Sequence, residues 1–274
     1  MLEFSKEIVE RAILEYKPKA IVMMFSGGDD SLVAYHVAKE LGIKIDFVVH
    51  GNTRTGIQDT TDFAINEVAR MKDRLLIADA GKTYENYVLR KGFFGKGERA
   101  HAYSYHLLKA NFFNSIISKN LRQGQRNFPI LFLNGARRLE SERRKKTMLN
   151  PIKEDPSQKN NIWVNIINEF DKKDCTDYLE GNGIKRNSVS VNLCRSGECM
   201  CGTMQTLGDR TEAGFFYPEW KKWLDSLEKE VMKKFPWSWN DNINKQHLQE
   251  MAGQLNMFQP LCTGCKIQYE SQNQ

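Results

Sequence analysis

The sequence has no apolar run approaching the ~20 residues that a membrane-crossing helix needs. Its first residues, Met1-Leu2-Glu3-Phe4-Ser5-Lys6-Glu7, carry charge where a secretory leader would be apolar. It contains no internal repeat and no low-complexity tract. These absences argue against a membrane protein, a secreted protein and a repeat solenoid, and they predict a cytoplasmic protein with no membrane partner. Charge of one sign is also scarce: 40 Lys and Arg against 34 Asp and Glu leave a net +6. That mild excess suits an anionic partner, and equally an ordinary soluble surface. With 41% apolar and 27% charged residues, the 274-residue chain can bury a packed core. The length fits one large α/β domain with an appendage.

Strand and helix signals alternate through the first two thirds. Ile21–Phe25 is a short, wholly apolar run, as a buried parallel strand would be, and further strands are expected at Ile45–Val49, Arg74–Ala78, Pro129–Leu133 and Ile162–Ile167. Helical spacing lies between them, at Ser5–Tyr16, Ser31–Leu41, Asp59–Met71 and Tyr103–Asn120, and again at Asp171–Gly181, where Asp171 is a candidate cap. The pattern predicts an α/β fold with a doubly wound parallel sheet. Beyond Gly183 the alternation stops and cysteine, tryptophan and glycine concentrate. We expect residues 1–185 to form a nucleotide-binding α/β domain. Residues 186–274 should form a cysteine-rich, mainly helical part, with a helix at Pro218–Phe235 that packs through a Trp and Leu stripe.

Ser26-Gly27-Gly28-Asp29-Asp30-Ser31 stands between the first strand and a helix. Two glycines let backbone N–H groups approach a phosphate, and the helix adds its positive dipole end. The Gly-x4-Gly-Lys-Ser/Thr phosphate loop and the Gly-x-Gly-x-x-Gly dinucleotide fingerprint are both missing here. His50-Gly51-Asn52-Thr53 ends the second strand, where ligands of open sheets bind, so Asn52 is a further candidate. A basic stretch from Arg137 to Lys146 offers Arg137 to a phosphate, because a guanidinium fork matches its geometry.

Five of the six cysteines fall in the last third, four of them in two close pairs. In reducing surroundings paired thiols mean metal or redox chemistry more often than disulfides. Cys199-Met200-Cys201 and Cys262-Thr263-Gly264-Cys265 could together supply four thiolates to Zn²⁺ or to a four-iron cluster. Cys194 is a candidate nucleophile, and Cys175 reads as core.

The run Ser26-Gly27-Gly28-x-Asp30-Ser31 resembles the signature of the PP-loop ATP pyrophosphatases. Gly135-x-Arg137-x-x-Glu140-Ser141 resembles a segment of their phosphoadenosine-phosphosulfate-reductase-like branch, near the DNA-phosphorothioation sulfur transferases. The resemblance implies an adenine nucleotide alpha hydrolase-like fold. It implies ATP or a sulfated adenosine nucleotide bound with Mg²⁺ by Ser26, Gly27, Gly28, Asp29, Asp30, Ser31, Asn52, Gly135, Arg137 and Glu140. It favours a [4Fe–4S] cluster over zinc on Cys199, Cys201, Cys262 and Cys265. The expected activity is adenylation of a substrate with release of pyrophosphate, for sulfur transfer, with Asp30 and Cys194 as catalytic residues. A sulfonucleotide reductase is the alternative, although the Glu-Cys-Gly-x-His motif of such enzymes is missing. A non-catalytic nucleotide-binding subunit of a DNA-modification or defence complex is the second alternative. A sulfur-donor protein, a nucleic-acid substrate and a homodimer remain open as partners.

Overall fold

The structure is a computed structural model that describes residues 2–125, 127–156 and 158–241. The elements run α1 (Leu2–Tyr16), β1 (Ala20–Met24), α2 (Asp29–Glu40), β2 (Phe47–Asn52), α3 (Gln58–Arg70), β3 (Leu75–Asp79) and α4 (Thr83–Lys91). They continue with α5 (Glu98–Tyr105), α6 (Asn111–Ile117), β4 (Ile130–Asn134), α7 (Glu142–Thr147), β5 (Ile152–Asp155), β6 (Gln158–Asn165), α8 (Lys172–Gly181), α9 (Ser188–Leu193), α10 (Leu207–Phe216) and α11 (Pro218–Val231). No helix among the described residues is long and apolar enough to cross a membrane.

The six strands form one sheet in the order β3-β2-β1-β4-β6-β5. Strands β1, β2, β3, β4 and β6 are parallel, as the apolar runs predict, with Val22 opposite Phe47 on one side and opposite Phe132 on the other. The edge strand β5 is antiparallel to β6. Sequence reading missed it because Ile152-Lys153-Glu154-Asp155 holds one apolar residue and is stabilised by its neighbour, not by its own pattern. The expected strand Ile162–Ile167 starts earlier, at Gln158, for the same reason.

Helices cover both faces. Leu32, Val33, Tyr35 and Val37 of α2 pack with Ile8, Ala64, Cys175 and Leu179 over one face. Phe113 and Ile117 of α6 pack on Val22, Val49 and Phe132 on the other. The expected helix Tyr103–Asn120 is four pieces: α5, a π turn at His106–Ala110, α6 and a second π turn at Ser118–Arg122. A π turn inserts an extra residue and rotates the side chains around it. Asp171 caps α8 as expected: its Oδ1 accepts from the Asp174 N–H at 2.7 Å, and its own N–H donates back to Asp174 Oδ2 at 2.8 Å.

Beyond α8 the described residues form helices only. Two of them, α9 and α10, were not expected. Ser188-Val189-Ser190-Val191 has the composition of a strand, and Gly208 and Gly214 weaken the helical signal of α10. A second core cluster joins Tyr84, Val88, Phe93 and Leu108 to Trp220, Leu224, Trp237 and Trp239. Three indoles tie it down: Trp220 donates to the Thr55 carbonyl at 2.9 Å, Trp237 to Phe93 at 3.1 Å and Trp239 to Met200 at 3.2 Å.

Glu67 of α3 is buried between His36 (2.7 Å) and Arg70 (2.6 Å). Burial raises its pKa, but the bonds from Arg70 and His36 outweigh it and hold the carboxyl at about 2. A depressed folded-state pKa stabilises the fold above the unfolded value of about 4.3, and that stability is lost as pH falls toward 2. The stability gap between the wild type and Glu67→Gln, measured by urea unfolding across pH, is therefore expected to be widest above about pH 4.3 and to close on acidification. A gap that widens in acid would contradict this assignment.

Candidate nucleotide and thiol site

The chain runs from β1 outward to β2 and β3, then returns across the sheet to β4. The carboxyl ends of β1 and β4 therefore diverge, and such a switch point opens a crevice where ligands bind. The Ser26–Ser31 loop lies on one side of it and Asn134-Gly135-Ala136 on the other.

Gly27 has φ +78°, a left-handed conformation that a side chain disfavours, and its carbonyl accepts from Asn187 Nδ2 at 2.9 Å. The Ser26 and Ser31 hydroxyls meet at 3.0 Å. Ser31 Oγ also donates to the Gly28 carbonyl at 2.9 Å. Gly28 occupies the N-cap of α2 and no side chain caps that helix, so its first N–H groups are free to bind an anion.

The two acids point in different directions. Asp29 is held by Arg186 (2.6 Å) and Lys172 (3.2 Å). Asp30 pairs with Arg137 Nε at 3.0 Å, while its Oδ1 is buried with no hydrogen-bond partner. Gly135 makes the crevice narrow: a Cβ there would lie 2.3 Å from the Asp30 carbonyl oxygen.

These residues open on a cleft of about 570 Å³, lined also by Lys109, Glu140, Arg144, Lys172, Cys194, Arg195 and Glu198. Of the expected nucleotide residues, Ser26, Gly28, Asp29, Asp30, Ser31, Gly135 and Glu140 line it. Arg137 is buried behind Asp30, and Asn52 lines a neighbouring cavity, where its Oδ1 accepts from the Arg54 N–H at 3.0 Å. Glu140 is paired with Arg144.

Lys109, Lys172, Arg186, Asn187 and Glu198 were not expected. They come from distant segments with no motif of their own. The one available signal, Glu198, lies inside the cysteine run. Lys109 sits on the first π turn, is half-buried and pairs with Glu198 at 3.0 Å. Burial works against its charge, but Glu198 and the Cys199 thiol favour it and raise the pKa above the ordinary lysine value.

Cys194 is exposed on the cleft wall with φ 52°, at the end of α9. One turn before it Ser190, also on the wall, has a buried hydroxyl without a partner. Cys199 and Cys201 adjoin, with Thr55 Oγ1 donating to Cys199 Sγ at 3.8 Å and Cys201 Sγ donating to Ser104 Oγ at 3.6 Å. Their mutual hydrogen bond draws the Cys201 thiol below its ordinary value and, with burial, pushes Cys199 above it. Thr203 Oγ1 is 3.3 Å from Cys201. No third metal-ligating side chain joins them among the described residues, and Cys262 and Cys265 lie outside those residues. Cys175 is core, its thiol pushed up to about 12 by burial.

A mostly parallel sheet with its glycine loop at the switch point defines an α/β protein of the adenine nucleotide alpha hydrolase-like, PP-loop class. Within that class the chain belongs to the phosphoadenosine phosphosulfate reductase domain family, which it matches over residues 20–205. No curated protein matches it. Among solved structures it resembles FMN adenylyltransferase from Candida glabrata, with 13% identity and a TM-score of 0.50 over 70% of this chain and 58% of that one. It thus spans little more than half of that enzyme. Phosphoadenylyl-sulfate reductase from Candida auris, solved with phosphate, aligns at 15% identity and TM-score 0.49 over 68% of this chain and 82% of that one. NH3-dependent NAD synthetase from Campylobacter jejuni aligns at 12% and 0.46 over 95% and 97%.

Gly135→Ala is expected to cost about 1–3 kcal/mol of stability, because the added methyl meets backbone that cannot swing aside. Gly181→Ala, where a Cβ meets nothing within 4 Å, is the control. Thermal melts by circular dichroism compare them, and equal melting temperatures would remove the close approach from the account of the crevice.

Proposed function

We propose that this protein is an adenine-nucleotide-dependent enzyme that activates a second substrate by adenylation, with pyrophosphate released, in a sulfur-transfer reaction. The observation that carries this reading is the uncapped N-terminus of α2, set at the switch point and facing a cleft that holds Lys109, Arg144, Lys172 and Arg195. ATP, or a sulfated adenosine nucleotide, lays its phosphates on Ser26, Gly27, Gly28 and Ser31. Asp29, Gly135 and Arg137 hold the loop in shape. Glu140 and Asn52 stand at the margins of the site.

The orphan Oδ1 of Asp30 fits a single carboxylate ligand to Mg²⁺, an ion that keeps waters and takes its remaining oxygens from phosphates. When bound, Mg²⁺ would neutralise phosphate charge. In the reaction an acceptor oxygen or sulfur bonds to the α-phosphorus. The bond from that phosphorus to the bridging oxygen breaks, and that oxygen leaves with pyrophosphate. The chain's part is positioning and charge stabilisation.

A second reading, thiol-dependent sulfonucleotide reduction, is favoured by one observation. The exposed Cys194 thiol shares the cleft with the phosphate loop.

Pyrophosphate and sulfite release, assayed with Mg²⁺-ATP and with sulfated adenosine nucleotide, separate the two readings. Asp30→Asn is expected to lower the productive rate roughly a hundredfold, the scale for removing one electrostatic contact, with circular dichroism unchanged. An unaltered rate would take Asp30 out of the reaction, and no turnover of either substrate would sink the enzyme reading.

Cys199 and Cys201 present two adjacent sulfurs, which fits one half of a four-thiolate centre. We assign the other half to Cys262 and Cys265. Such a centre would supply sulfur handling or electron transfer. Elemental analysis of anaerobically purified protein is expected to find roughly four irons and four sulfides per chain, as a [4Fe–4S] cluster requires. Zinc near one per chain would replace the cluster with a structural site, and neither metal would leave free thiols.

A further inference from the structure

Beside the phosphate cleft lies a second cavity, of about 730 Å³, at the carboxyl ends of β2 and β3. The two share one lining residue, Glu198, whose carboxylate is fixed by Lys109 of the first cleft. Anything held in the second cavity is therefore one side chain away from the nucleotide cleft.

The second cavity has an aromatic wall at the α10–α11 corner, made by Phe216, Tyr217, Trp220 and Trp223. Two of these rings are locked: Trp220 by the Thr55 carbonyl and Trp223 by Glu85 Oε1 at 2.9 Å. Rigid aromatic faces favour a flat ring, which stacks with little loss of entropy. The polar lining is dominated by acceptors. Asp59, Glu85, Glu198 and Glu219 contribute carboxylates, which only accept hydrogen bonds when ionised. Against them stand Arg54 and Lys82. Arg54 is spent on Asp79, with Nε at 2.8 Å from Oδ1, as Glu198 is on Lys109 and Glu219 on Lys222, which leaves Asp59 and Glu85 against Lys82. A phosphate- or sulfate-bearing ligand would meet net negative charge here. A ring with an exocyclic amino group would find acceptors for its protons.

We propose that this cavity binds the acceptor substrate, a planar heteroaromatic ring bearing an exocyclic amino group, as in the amino-bearing nucleobases. The assignment rests on the adenylating reading only for the acceptor's role; the cavity's selectivity stands on its own lining. Aromatic wall and locked indoles set the plane of the ring. Asp59, exposed at the first turn of α3, and Glu85 take the amino protons. Glu198 marks the side that faces the nucleotide.

Cytidine and uridine test the selectivity, because they differ at the amino group while keeping one ring and one sugar. The full chain is saturated with α,β-methylene-ATP, its binding being measured first by calorimetry, and each nucleoside is then titrated by indole fluorescence. Cytidine is expected to bind at least tenfold more tightly than uridine. In the Asp59→Asn, Glu85→Gln double variant that preference is expected to vanish while α,β-methylene-ATP binds as before. Equal affinities, no saturable binding of cytidine, or a preference that survives the double variant would each overturn the proposal. A single-stranded oligo(dC) run in parallel identifies the source: its binding with the same dependence on Asp59 and Glu85 assigns a base within a strand, and its failure beside cytidine binding assigns a free small molecule. If the ATP analogue does not bind, the function proposed above fails by itself, and titration of the nucleotide-free protein and its double variant still decides the cavity.

Discussion

Where a Cβ on residue 135 would sit, the Asp30 carbonyl oxygen is only 2.3 Å away, so the loop after β4 presses directly on the first turn of α2. That contact brings the two sides of the switch point together and leaves room for backbone, but no side chain, between them. Around it the loop is clamped from several directions. Arg137 holds Asp30 from beneath, Arg186 and Lys172 hold Asp29 from the α8 side, and Asn187 holds the Gly27 carbonyl. The ion pair of the buried Arg137 with the half-buried Asp30 is no large source of stability, since desolvation offsets much of the attraction. Its effect is to fix one orientation. An anion-binding helix end works only if its N–H groups stay aimed at the ligand, and these clamps keep them aimed without using the N–H groups themselves.

The cysteine-bearing segment is the second structural wall. Ile57 N–H donates to the Gly197 carbonyl at 2.9 Å, Thr53 Oγ1 to the Glu198 carbonyl at 2.9 Å, and Met200 N–H to Thr55 Oγ1 at 3.0 Å. The loop after β2 thus reads the backbone of 197–200 as if it were another strand end. Through these bonds Cys194 reaches the cleft on one side while Cys201 is buried and Cys199 half-buried on the other. The π turn at His106–Ala110 brings Lys109 up to Glu198, at the point where the cleft and the neighbouring cavity meet.

Much of this was legible in advance, and the parts that were share one property. The parallel strands β1, β2 and β4 are largely buried, and all five parallel strands carry their own apolar signature within a few residues. The glycine loop between β1 and α2 is likewise contiguous, a run of six neighbouring residues. Helix α8 announced its start with Asp171 because a cap is a local bond. By contrast β5, α9 and α10 draw their stability from neighbours distant in sequence. Their own patterns, one apolar residue in four for β5 and Ser-Val alternation in α9, point elsewhere or nowhere.

The sequence by itself therefore determined the parallel strands, the glycine loop that follows β1 and the family, because each depends on interactions between residues a few positions apart. Tertiary structure decided the rest of the cleft. Lys109, Lys172, Arg186, Asn187 and Glu198 carry no local pattern that marks them, and they converge only when the chain crosses back from β3 to β4 and the segment after α8 folds over the loop. It also decided that Arg137 stands behind Asp30 instead of on the cleft wall. A guanidinium and a carboxylate 107 positions apart pair only after the strands that carry them become neighbours, and that pairing energy has no expression in either segment alone.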